Sequence, residues 1–177
     1  GRARVVEKDG YRVDNGQHIL LGAYTETLRM LRLVGVKPSV LETRRLTLAY
    51  PGEGCALRAA PLPAPLHLAV GLLRARGLGL ADKLAMARLM RHLKARRFRI
   101  EPDRPVAALL ADTAQTERLS RLIWEPICVA ALNTPVGEAS AQVFASVLRD
   151  SLAAGESASH LLIPRVDLSE LFPVPAA

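Results

Sequence analysis

The chain has 177 residues, 24 of them Lys or Arg against 17 Asp or Glu, for a formal charge of +7, and half of them are apolar. At this length roughly 70% of the unfolded surface can be buried, enough for one core, and so apolar a composition excludes a disordered tail. Aromatics make up only 4%, so the core has to come from Leu, Ala, Val and Ile, of which Leu and Ala are strong helix formers.

In chain order, residues 3–14 predict a hairpin: Val5 and Val6, a turn at Asp9-Gly10, then Tyr11, Arg12 and Val13. A corner at Gly16 leads into a helix over 20–33, where Leu21, Tyr24, Leu28 and Leu31 keep a helical period and Gly35 is placed to end it. Residues 46–50 and 55–59 flank Pro51-Gly52-Glu53-Gly54 as a second hairpin. Pro61, Pro63 and Pro65 form a stiff connector before a helix near 66–74. Asp82 is the expected N-cap of a helix reaching about residue 98. Met86, Leu89, Met90 and Leu93 fall on one stripe of it, with Lys83, Arg88, Arg91 and Lys94 opposite.

Further helices are expected at 106–110, 116–123, 127–132 and 135–152, the last started by Thr134-Pro135. Proline in Trp124-Glu125-Pro126 should interrupt its helix, either as a kink or as a break that turns Trp124 toward a cavity. A short strand at 161–166 and a Pro-rich exit at 172–177 complete the reading. The fold class is α+β, predominantly helical with a small antiparallel or mixed sheet.

The charge is concentrated. Residues 74–104 hold ten cations and three carboxylates, and the remaining 14 of each sign cancel. A basic amphipathic helix of this kind can cover a core and show its charges to water, or lie on an anionic membrane surface. Nucleic acid is not an expected partner, because Phe98 is the only aromatic in the segment and gives no stacking platform. No run approaches the ~20 apolar residues of a membrane-spanning helix, and the first residues do not read as a secretory signal. Cys55 and Cys128 are too isolated for a metal or redox motif and read as buried, reduced thiols of a cytoplasmic protein.

Asp14-Asn15-Gly16-Gln17-His18 gathers polar side chains between a strand and an apolar helix, either as a simple turn or as donors aimed at an anion or a cofactor edge. His18, His67, His92 and His160 show no ligand spacing, so no metal is expected. Gly77-Leu78-Gly79 begins like a dinucleotide fingerprint, but its third glycine is replaced by Asp82 and no strand precedes it. Neither a nucleophile elbow nor a P-loop occurs in the sequence.

Three stretches carry a family likeness. Gly1-Arg2-Ala3-Arg4 with Asp14-Asn15-Gly16-Gln17-His18-Ile19-Leu20-Leu21-Gly22-Ala23-Tyr24, then Trp124 through Pro135 and Glu138 through Phe144, then Leu162 through Leu168 with Phe172-Pro173, resemble the FAD-dependent amine oxidase and phytoene desaturase superfamily. Within it the sequence is most similar to the hydroxysqualene dehydroxylases of hopanoid biosynthesis. The likeness covers nearly the whole chain, but the G-x-G-x-x-G unit and the final flavin-contacting segment of such enzymes are not in it, so the resemblance implies a middle portion that is inactive alone.

The resemblance implies a flavin-contacting hairpin and helix over 1–40 and a substrate-binding domain over 41–177. It implies FAD contacts from Arg2, Arg4, Asn15, Gly16, Gln17 and His18, and substrate contacts from His18, Tyr24 and Trp124. The implied reaction is reductive removal of the hydroxyl of hydroxysqualene, a C30 isoprenoid, through an allylic cation. The partners are then the lipid substrate, an anionic membrane surface at the inner face of the cell membrane, and other copies of the chain where apolar surface is left open. The rival reading is a non-enzymatic helical module that uses the basic segment 74–104 to bind a membrane or a protein.

Overall fold

Asp9 and Gly10 both take left-handed backbone angles, φ +52° and +78°, as a two-residue hairpin loop with primed geometry requires. The hairpin closes around them in the computed structural model, which describes residues 4–16 and 19–177. Strand β1 (Val5–Lys8) pairs antiparallel with β2 (Tyr11–Asp14), Lys8 facing Tyr11. There follow β3 (Leu20–Leu21), α1 (Thr25–Leu33), β4 (Leu41–Arg44), β5 (Thr47–Tyr50) and β6 (Cys55–Arg58). The helices α2 (Leu66–Leu73), α3 (Leu80–Ala95), α4 (Val106–Asp112), α5 (Glu117–Leu119), α6 (Glu125–Leu132) and α7 (Ala141–Leu148) come next, then β7 (Leu161–Pro164) and α8 (Leu168–Leu171). The chain is α+β, mainly helical with small antiparallel sheets, as its composition and periodicity indicate.

Packing divides it into two units, Gly1–Leu46 with Ser157–Ala177, and Thr47–Glu156. In the first, β7 lies between β3 and β4 and is antiparallel to both, Leu162 facing Leu20 on one side and Thr43 on the other. This pairing corrects the helix expected from residue 20. Leu20 and Leu21 are strand, Gly22 and Ala23 donate to the carbonyls of His160 and Ala158, and α1 starts only at Thr25. Backbone groups claimed by a partner strand cannot also open a helix. The stop at Gly35 forms as expected: Gly35 N–H donates to Arg32 O and Val36 N–H to Leu31 O, with Gly35 at φ +84°.

In the second unit Tyr50 faces Cys55 across the Pro51–Glu53 turn, which Gly54 ends in the left-handed region. Helix α3 is capped one turn earlier than expected. Gly79 is the N-cap, and Asp82 is the third helical residue, its carboxylate accepting the Gly79 N–H at 2.8 Å and the Thr116 hydroxyl at 2.6 Å. Its buried stripe is the expected one, with Leu89 and Leu93 fully enclosed and Met86 and Met90 beside them. The helix ends at Ala95, short of residue 98, because Phe98 folds back: its N–H reaches Leu93 O at 2.7 Å while Arg97 and Phe98 hold φ +52° and +58°. That fold returns the Phe98 ring to the core.

The start of α7 is also corrected. Ser140, not Thr134, is the cap, accepting the Val143 N–H. Residues before it are held in turns because the carbonyls of Val136 and Ala139 receive the N–H groups of Ala107 and Val106 at the start of α4. Pro126 does not break its helix. Residues Ser120–Trp124 widen into a π turn that joins α5 to α6, a register change that accommodates a proline unable to donate to the preceding turn. A second π turn, Arg149–Ala153, continues α7, where the Ser151 hydroxyl donates to Val147 O at 2.6 Å. Helix α8, at Leu168–Leu171, was hidden by the prolines that follow it.

Candidate functional site

Asn15 extends the β1–β2 ladder by one step. Its N–H donates to the Arg4 carbonyl at 3.1 Å, and its side-chain oxygen accepts the Arg4 N–H at 3.2 Å. The amide fixes the direction in which the chain leaves β2 toward Gly16. Among the described residues, its chain neighbours aside, no atom lies within 4 Å of where a Cβ on Gly16 would stand. Arg4, Asn15 and Gly16 are thus gathered at the open end of the hairpin, the Arg4 side chain exposed. Arg2, Gln17 and His18 lie outside the described residues.

The hairpin is anchored from behind by residues near the far end of the chain. Asp14 accepts the Leu168 N–H at 2.8 Å, Arg12 pairs with Asp167 at 2.7 Å, and Val5 N–H donates to the Ser169 hydroxyl at 2.8 Å. Asp167 also caps α8 through the Glu170 N–H. The sequence reading missed this support. Its one legible sign is the Asp-x-x-Glu spacing at 167–170, which marks a helix start but not what the helix touches.

Tyr24 sits at the N-terminus of α1 in the same unit and is exposed. Trp124 belongs to the other unit, where it is 1% exposed and meets Phe144 edge-on with ring centroids 6.4 Å apart. Its Nε1–H donates to Gln115 Oε1 at 2.9 Å, and the Gln115 amide nitrogen donates in turn to Ala85 O at 2.8 Å and Thr113 O at 3.0 Å. A buried indole N–H needs such an acceptor.

Two carboxylates of this unit are held in structural pairings. The Arg121 guanidinium forks onto Glu53, holding its carboxyl below the usual range. Hydrogen bonds from Ser140 and the Gln142 N–H do the same for Asp103. Cys55 and Cys128 are both buried and unbridged, and desolvation pushes the Cys128 thiol up, away from reactivity. Among the described residues no cluster of His, Cys, Asp and Glu is placed to hold a metal ion, and no helix is long and apolar enough to cross a membrane.

A family model for flavin containing amine oxidoreductases matches residues 1–161. The chain belongs to that family. Membership makes it part of an oxidoreductase whose cofactor is a flavin. No curated protein matches the chain. A flavin presents carbonyl and ring-nitrogen acceptors and, in its nucleotide forms, phosphate charge. Of the residues expected at a flavin, Arg4 is exposed at the open end of the hairpin, and its guanidinium is of the donor type such acceptors call for.

Proposed function

We propose that this family member is part of an FAD-dependent enzyme that removes the hydroxyl of hydroxysqualene to give squalene. The observation that carries the reading is the run from Asp14 to Tyr24, attached to a hairpin that presents Arg4, Asn15 and Gly16 together. In this proposal residues 1–40 contact the flavin, through Arg2, Arg4, Asn15, Gly16, Gln17 and His18, and residues 41–177 contact the isoprenoid. His18 and Tyr24 meet the substrate.

When bound, a reduced flavin supplies hydride. The C–O bond of the protonated alcohol breaks, water departs, and an allylic cation is left to accept that hydride, so atoms and charge balance. The protein's task is to hold a greasy polyene in one pose and keep water from the cation. Leu- and Ala-rich helices serve that task, and Trp124, enclosed against Phe144 and Gln115, stiffens them from within rather than touching the substrate.

The test uses the full encoded protein. It should purify yellow, release FAD on denaturation, and convert hydroxysqualene to squalene under anaerobic reduction, with product followed by mass spectrometry. A yellow protein that leaves hydroxysqualene untouched while oxidising an amine or desaturating a polyene would overturn the substrate assignment and leave the family unaffected.

A further inference from the structure

The outward surface of α2 and the first turns of α3 is leucine where solvent-facing helices are ordinarily polar. Leu66 is 52% exposed, Leu73 71%, Leu80 74% and Leu84 57%. On α2, Leu66 and Leu73 stand seven residues apart on the side opposite the buried His67 and Gly71. On α3, Leu80 and Leu84 are one turn apart and opposite the enclosed Leu89 and Leu93. Lys83 joins the two helices, its ammonium donating to the Leu73 carbonyl at 2.8 Å. The clasp thus brings the end of α2, with exposed Leu73, to Lys83 on α3, whose adjacent Leu84 and preceding-turn Leu80 are exposed as well, and exposure concentrated in this way marks an interaction surface.

Along this surface's own stretch of sequence the charge is nearly all of one sign. Residues 61–100 contain nine cations and a single carboxylate, Asp82. That carboxylate is buried, holding the Gly79 N–H and the Thr116 hydroxyl. No carboxylate of this segment therefore faces outward, whereas Arg88 and Arg91 are exposed beyond the leucines along the same helix. Apolar anchors at one end of a helix and guanidinium groups at the other match the hydrocarbon edge and the anionic headgroups of a bilayer respectively.

We propose that this corner docks the protein on an anionic phospholipid surface, Leu73, Leu80 and Leu84 entering the acyl boundary while Arg88 and Arg91 meet the headgroup phosphates. Lys83 is spent on the clasp that sets the two helix ends together. The proposal stands apart from the substrate assignment, because vesicle binding is read without flavin or substrate.

The experiment is sedimentation of the full encoded protein with vesicles of phosphatidylcholine alone or mixed in equal parts with phosphatidylglycerol. Binding is expected only to the mixed vesicles. Replacing Leu73, Leu80 and Leu84 by Gln should weaken it by about tenfold or more. Arg88→Gln and Arg91→Gln should each weaken it by about fivefold. All five positions are exposed, so circular dichroism melting should match the unaltered chain and separate lost binding from lost folding. Absence of vesicle binding overturns the proposal. So does binding that needs the arginines and ignores the leucines, since that is adsorption of charge alone. So does a chain whose leucines instead drive self-association in light scattering and leave vesicles untouched.

Discussion

The carbonyl of Ser157 occupies the space where a side chain on Gly22 would begin. The next contacts, to the Ser157 carbonyl carbon at 2.9 Å and the Ala158 Cα at 3.3 Å, are also backbone. The two segments are sewn together by the bonds from Gly22 and Ala23 to His160 and Ala158. Gly22→Ala must therefore push two backbones apart, at a cost of about 3 kcal/mol. A urea unfolding curve reads the loss, and retention of the original midpoint would show that the sheet can shift to admit a methyl group.

Trp124 and Gln115 give a second expectation. Gln115→Ala removes the acceptor of the indole N–H and leaves a buried donor unmatched, costing about 2 kcal/mol. Trp124→Phe removes the other side of the pair. Circular dichroism melts of both single variants and the double should show a double variant less destabilised than the two singles combined. Simple additivity would mean that the two side chains act independently.

The ion pair between Glu53 and Arg121 sets a pH expectation. The guanidinium keeps the folded carboxyl charged to lower pH than in the unfolded chain, so its contribution to stability is present at and above the ordinary glutamate range near about 4.3. It drains away as pH falls through the lowered folded value. Glu53→Gln should thus lower the denaturant midpoint at neutral pH, with the two midpoints converging in acid, and high salt should narrow the neutral gap. A gap that persists unchanged in acid would place the effect elsewhere.

At Arg97 the chain holds φ +52° with an ordinary side chain at the turn that ends α3, a position glycine occupies without strain. Arg97→Gly should raise stability by about 1 kcal/mol, whereas Arg97→Ala should not. Equal effects of the two substitutions would point to the lost charge rather than the backbone.

Both short hairpins were legible because their turns are encoded locally: Asp9-Gly10 supplies two positive φ values and Gly54 one. The stripe of α3 was legible for the same kind of reason, since its period is set within one helix. What escaped depends on distant pairing. Leu20 and Leu21 look helical until Leu161 and Leu162 arrive, and β4 has no strand signal of its own beyond its partner β7. At the hairpin end, the motif from Asp14 was visible, but its support by Leu168 and Ser169 was not, because nothing local links residues more than 150 positions apart. The exposed leucines of α2 and α3 stood out in no pattern of the sequence, because nothing local says which apolar face is covered.

The central place of β7 in its sheet also governs the order in which the protein can be made. As the polypeptide emerges from the ribosome, Thr47–Glu156 can collapse early, while β3 and β4 wait with open edges for β7, which follows only after that whole stretch has been made. A nascent chain halted before residue 161 would carry a closed helical body and two orphan edges. Translation pauses in that interval are accordingly where chaperone capture and aggregation compete most directly with native assembly.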